Sequence, residues 1–252
     1  VSRPLSLPGA RPGPVEWSAA ETALVVVDMQ NGFLKAGGYF DQVGYDLAHA
    51  PGTIAAVVRA VAAARTAGLF VVYIQSGFDA RHLVVGGPLA PVWHKSEAQV
   101  LMRERPELAF RLITEGTWDH ALVDELAPAA QELVVRKSRY SAFAGTPLDQ
   151  VLRARRIRNL VFCGVAANVC VESTLRDAYH HEYFCLLLED ATRHAGPPFL
   201  REATLWNVER FFGWVAPVSA FEVATGLPGA ESGAPDAPPE HGGAPASNDA
   251  RG

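Results

Sequence analysis

What this sequence lacks narrows it first. No apolar run approaches the roughly 20 residues that a membrane-spanning helix requires. The opening stretch, VSRPLSLPGARPGPVEW, holds no apolar core of the kind a secretory leader carries, so a cytoplasmic protein is expected. Cysteine is scarce: the three residues are Cys163, Cys170 and Cys185. An odd number without a C-x-x-C pair argues against a disulfide framework and against a structural zinc site. Positive charge is also in short supply. With 22 lysines and arginines against 27 acids the net charge is −5, and neither nucleic acid nor an anionic membrane is expected as a partner. Large apolar residues vanish after Leu227, so residues 228–252, rich in alanine, proline and glycine, are expected to be a disordered tail. No internal repeat is visible.

What is present suits one α/β domain over residues 17–227, preceded by an extended arm over residues 1–16. Short continuous apolar runs mark strands buried on both faces: ALVVVD ending at Asp28, LFVVYIQ ending at Gln75, ELVVRK ending at Lys137, and NLVFCG ending at Gly164. YFCLLLED and GWVAPV follow. Helical patterns separate them, from Pro51 to Gly68, Thr146 to Arg155, after Gly164, and near Phe199 to Phe211. Repeated βα units predict a mostly parallel six-stranded sheet with helices on both faces, a three-layer α/β/α sandwich.

Sites in such sheets form beyond the carboxyl ends of the strands. The first strand ends in Asp28, the third in Lys137, and the fourth runs through a short turn to Cys170. An acid, a base and a thiol are thus expected on one rim. Asn168 reads as the N-cap of the helix that follows, which puts Cys170 in its first turn. Free N–H groups and the helix dipole there would lower the thiol's pKa and leave it partly ionised. Cys163 and Cys185 sit inside apolar strands and read as core. Each rim residue has a plainer reading: Cys170 as a buried helical cysteine, Asp28 as a turn cap, Lys137 as a solvated strand end.

VVVDMQNGF, the segment KSRYSAF from Lys137 to Phe143, and GVAANVCVESTLRDA resemble the isochorismatase-like cysteine hydrolases, from about Trp17 to about Gly226. GGPLAPVWHKS, GTWDHALVDEL, LEDATRHAGP and FFGWV look most like the ureidoacrylate amidohydrolases within that family. The resemblance implies an Asp–Lys–Cys triad at Asp28, Lys137 and Cys170. It also implies a cis peptide before Ala166 and an oxyanion hole from the backbone N–H groups of Ala166 and Cys170. It implies hydrolysis of a non-peptide C–N bond through a thioester or carbamoyl-thioester on Cys170, and self-association as a dimer or tetramer. Where the ureidoacrylate enzymes carry asparagine and glutamate after the second strand, this chain has Ser76 and Val84, and it has Ala167 where they tend to have threonine.

For the pocket, Ser76, Phe78, Trp93, Trp118 and Tyr140 are candidate walls, and Arg139 is a candidate for holding a substrate carboxylate. Ordinary packing and a surface charge are the plainer readings. His180 and His181 lie about 15 Å along the helix from Cys170, too far to serve it as a base. His194, after the fifth strand, is a remaining candidate at the rim. Nicotinamidase relatives carry an Asp-x-His motif after the second strand. Asp79 and His82 have a different spacing, so no metal and no cofactor are expected. The expected partner is a small amide or ureido compound. Ureidoacrylate-like acids come first, with a cyclic amide such as the streptothricin lactam, biuret or nicotinamide as alternatives. A non-catalytic scaffold keeping the fold is the reading of another class. The vinyl-ether chemistry of true isochorismatases does not use a cysteine.

Overall fold

The computed structural model describes residues 4–227. The expected tail, 228–252, lies outside the described residues. Two short strands come first, β1 (Pro4–Leu7) and β2 (Val15–Ser18), followed by β3 (Thr22–Val27) and the short helices α1 (Asn31–Leu34) and α2 (Tyr39–Val43). Then come α3 (Ala50–Thr66), β4 (Phe70–Ser76), α4 (Pro91–Lys95), α5 (Glu97–Glu104), β5 (Leu133–Lys137), α6 (Leu148–Ala154) and β6 (Asn159–Val165). The chain closes with α7 (Glu172–His180), β7 (Phe184–Arg193), α8 (Phe199–Asn207), β8 (Trp214–Ala216) and α9 (Val218–Thr225).

Strands β3 to β8 form one parallel sheet of six, in the order β5-β4-β3-β6-β7-β8. Side chains alternate between its faces. From β3, Leu24 and Val26 point into a core with Val57, Ala60, Val61 and Ala64 of α3 and Phe221 of α9. Ala23, Val25 and Val27 point the other way, onto Leu148 and Leu152 of α6 and Leu175 and Ala178 of α7. The three-layer sandwich read from the strand runs is therefore the fold. The alanine-rich stripe of α3 lets the helix lie close on the sheet, proline starts it, and Gly68 at φ +68° turns the chain out of it. No helix among the described residues is long and apolar enough to cross a membrane.

The described part of the N-terminal segment packs on the domain. β1 pairs antiparallel with β2, and Leu5, Leu7, Ala10 and Val15 are buried in the same core as α9. Arg11 exchanges both backbone hydrogen bonds with Val215 and so covers the outer edge of β8, a sheet edge that would otherwise stay open. The alternation of leucine with polar residues in PLSL carries this packing, although proline and glycine around it read as loop.

Candidate active site

The register of the sheet brings the rim residues together. Val27 pairs with Ile74 on one side and with Gly164 on the other, and Ser76 pairs with Lys137. Lys137 lies two strands from β3, a separation of about 10 Å. A lysine stem is long enough to reach across, and its Nζ stands 2.7 Å from Asp28 Oδ2 with both side chains fully buried. The Cys170 thiol is the other side-chain neighbour of this carboxylate, which places the acid to take the thiol proton. Lys137 Nζ also donates to the Arg139 carbonyl at 3.2 Å.

Local geometry aims these groups. Asp28 adopts φ +51°, a left-handed conformation that aspartate tolerates better than most residues, and this turns the chain sharply as β3 ends. Gln30, fully buried, then ties the ends of β3 and β4. Its Oε1 accepts the Ser76 N–H at 2.7 Å, and its Nε2 donates to the carbonyls of Ser76 and His120 at 2.9 and 2.8 Å. Gly164 packs so tightly on β3 that a Cβ there would collide with the Val27 carbonyl, and its φ is +109°. The Val165–Ala166 peptide is cis, as the resemblance implied.

Cys170 sits in a π-turn, Ala167–Val171, ahead of α7. The Ala166 carbonyl accepts from Val169 and Val171 and skips Cys170 between them. Thr174 is buried and links this turn to the segment after β5, donating to the Cys170 carbonyl at 2.7 Å and accepting from the Ala142 N–H at 3.0 Å. Asn168 is not the N-cap. Its amide instead clamps residue 195, donating to the Ala195 carbonyl at 3.0 Å and accepting its N–H at 2.9 Å.

Electrostatics corrects one expectation. Burial dominates at all three groups. It pushes the Asp28 carboxyl above the ordinary value, with the Lys137 charge opposing. It pulls Lys137 down, but Asp28 and Cys170 more than offset it, so the ammonium holds its proton above the usual lysine value. It pushes the Cys170 thiol up to about 12, with Lys137 opposing and Asp28 reinforcing. Burial thus drives the thiol away from ionisation, opposite to the lowering expected of a helix end. A helix end contributes less than burial does, and Asp28 adds a repelling charge. Burial also raises Cys163 and Cys185, which no charge opposes.

Cys170 and Ala166 line a cavity of about 700 Å³, with Ser76 and Tyr140 on its wall. A smaller cavity of about 260 Å³ shares Ser76 and Tyr140 and adds Phe78 and Arg139. Four of the six candidate pocket residues are therefore at the site. Trp93 and Trp118 line neither cavity. Trp93 packs under Arg103, whose guanidinium lies 4.1 Å from its ring centre, and Trp118 is 55% exposed. The neighbour of Trp118, Asp119, is the one turned inward: its oxygens accept from the N–H groups of Tyr39 at 2.9 Å and Ile113 at 2.6 Å. His194 lines a different cavity from the triad. His82 is held by Thr114 at 2.9 Å and Gln99 at 3.2 Å. No cluster of three or more His, Cys, Asp or Glu suited to a metal occurs among the described residues.

Sequence reasoning missed Glu97, Tyr39 and Tyr45, which line the larger cavity. Tyr45 donates to Glu97 at 2.9 Å and Tyr39 at 3.3 Å. The side chain of Val84 lines neither cavity, and the carboxylates of the larger cavity come from Glu97 and Glu104.

Comparison with known proteins follows the same lines. The isochorismatase domain model matches residues 22–220. A protein of Agrobacterium fabrum named ureidoacrylate amidohydrolase RutB is 55% identical over 217 residues, 86% of this chain and 95% of the relative. One of the same name from Stutzerimonas stutzeri is 54% identical over 221 residues, 88% of this chain and 89% of the relative. Among solved structures, a cysteine hydrolase from Pseudomonas syringae pv. phaseolicola superposes with a TM-score of 0.66 at 25% identity, covering 83% of this chain and 94% of that one. N-carbamoylsarcosine amidase from Thermoplasma acidophilum superposes with a TM-score of 0.59 at 28% identity, covering 79% and 96%. With its sheet order, its rim and these likenesses in agreement, the chain belongs to the isochorismatase family.

Proposed function

We propose that this protein is a cysteine-dependent amidohydrolase that opens the ureido group of ureidoacrylate. The observation that carries the chemistry is a fully buried Asp28–Lys137 pair in contact with a cysteine that lines the larger cavity. The substrate follows from the name shared by relatives at 55% identity over most of the chain.

Asp28 takes the thiol proton as Cys170 Sγ attacks the ureido carbonyl carbon. The proton transfer moves negative charge from a carboxylate to a thiolate, and Lys137, adjacent to both, stabilises either form. The carbonyl oxygen becomes an oxyanion facing the N–H groups of Ala166 and Cys170. The Cys170 N–H suits that role because the turn's own acceptor bypasses it, and such a donor contributes about 3 kcal/mol. Protonated Asp28 returns its proton to the leaving nitrogen as the C–N bond breaks, leaving a carbamoyl-thioester. Water, deprotonated by Asp28, then attacks that carbonyl and releases the thiol. The substrate carboxylate runs toward Lys95, which lines both cavities, and Arg139 in the smaller one. Glu97, set by two tyrosines, takes ureido N–H groups.

Substrate choice is tested by assaying ureidoacrylate, nicotinamide, biuret and a lactam antibiotic side by side. The reading expects kcat/KM for ureidoacrylate to exceed the others by at least about 100-fold, the range of a lost charged contact. Comparable turnover of the lactam would overturn it. Glu97→Ala is expected to raise KM roughly 10- to 100-fold while kcat changes little, as for a charged hydrogen bond made equally in ground and transition states. Unchanged steady-state constants would remove Glu97 from substrate binding.

A further inference from the structure

A third cavity, of about 520 Å³, opens between the start of α3, the end of β7 and α8, and it shares no lining residue with the two cavities of the active site. Arg193, Arg201, Arg59, His49 and His194 surround it. Its acids are already engaged. Glu189 is held bidentately by Arg11 at 3.1 and 2.9 Å, and Asp190 accepts the Val218 N–H at 2.7 Å. Arg59 is likewise occupied, bidentately, by Glu222.

Arg193 is the anomaly. It is only 7% exposed, its side chain makes no hydrogen bond or close ion pair among the described residues, and its Nη1 is buried without a partner, the more distant charge of Asp46 being the one acid that acts on it. His194 Nδ1 is buried and partnerless beside it. Buried guanidinium groups are normally paired, because an uncompensated charge away from water is costly. The first turn of α3, a helix of 17 residues, brings Gly52 and Thr53 to the same cavity, and with them the positive end of its dipole; the Ala50 and Thr53 N–H groups serve the Leu47 and His49 carbonyls and Pro51 has none, so Gly52 supplies the N–H there. The surroundings register this field: burial lowers the proton affinity of His194, and the charges of Arg193, Arg201 and His49 lower it further.

We propose that this cavity is an anion site for a phosphate group, free or as a phosphomonoester, held by Arg193, Arg201, His194 and the first turn of α3. A planar guanidinium fork matches two oxygens of a tetrahedral oxyanion, and a dianion meets the several positive groups better than one carboxylate does. The site is separate from the chemistry but close to it in the chain. Arg193 pairs in register with Val165, which precedes the cis peptide, and Ala195 is the residue that Asn168 clamps.

Isothermal titration of the full chain with inorganic phosphate and with ribose 5-phosphate, against sodium chloride at matched ionic strength, tests the proposal. Saturable binding is expected for at least one of them. Tighter binding of ribose 5-phosphate identifies a phosphomonoester, and equal affinity identifies the free anion. Arg193→Gln is expected to weaken binding at least tenfold with an unchanged circular dichroism spectrum. If that variant does not fold, Arg201→Gln serves in its place with the same expectation. In the wild-type protein, phosphate is expected to raise the pKa of the His194 ring, followed by NMR and assigned with His194→Gln. Phosphate effects no larger than those of chloride, full affinity in the variant that folds, or a His194 titration unmoved by phosphate would each overturn the proposal.

Discussion

Replacing Cys170 with alanine is expected to abolish ureidoacrylate turnover, lowering kcat by about 10⁴-fold or more while the fold persists. The residue is 6% exposed at the cavity wall, and alanine differs from it by one sulfur. The loss should therefore appear in kinetics rather than in melting temperature. Cys170→Ser is expected to be nearly as inactive, because Asp28 must then deprotonate an alcohol far less acidic than a thiol. Cys163→Ala and Cys185→Ala are the matched controls: both thiols are buried in the sheet and neither lines the cavity. Turnover by the Cys170→Ala protein at the wild-type rate would remove the nucleophile from the scheme.

Lys137→Met carries the second large effect, and it reaches both stability and rate. Methionine keeps much of the stem but deletes the one charge that, among the described residues, faces a carboxylate with no exposed surface. Breaking a buried pair from one side costs about 3–5 kcal/mol, read as a lower urea midpoint near neutral pH. The sign with pH is fixed. Asp28 already has its folded pKa raised by burial, and removing Lys137, which opposes that rise, lifts it further. The folded state then binds a proton that the unfolded state has released, so stability falls as pH rises from the unfolded carboxylate value through the folded one. The variant should regain stability in acid. In kinetics, Asp28 serves as base only when ionised, so the acid limb of kcat/KM should move to higher pH, and kcat should fall by roughly 10²- to 10⁴-fold. A variant with wild-type stability and an unmoved acid limb would show that the pair does not set the charge state of Asp28.

The strands were legible because unbroken β-branched runs have few other fates, and the triad because polar residues close three of them at Asp28, Lys137 and, after a turn, Cys170. Less legible was the state of the thiol. A helix terminus is worth about 0.3–1 kcal/mol, whereas full burial shifts a pKa by several units at 1.36 kcal/mol each. A sequence displays the first and hides the second. The pocket walls were the weakest reading, since loops place them through contacts far apart in the chain. Asp119 fixes Tyr39 across 80 residues, and Tyr45 reaches Glu97 across 52. Their signals were present only as motifs without roles: GGYF running into α2, HKSE across the junction of α4 and α5, and WDH, in which the aspartate rather than the tryptophan serves the site.

The most direct measurement is the mass of the enzyme during turnover. Acid quench of the protein with excess ureidoacrylate, digestion and fragmentation mass spectrometry are expected to locate one carbamoyl group on Cys170 itself, within the peptide that it shares with Cys163. Steady turnover with Cys170 unmodified, or with the adduct localised to Cys163 or Cys185, would contradict covalent catalysis at this rim.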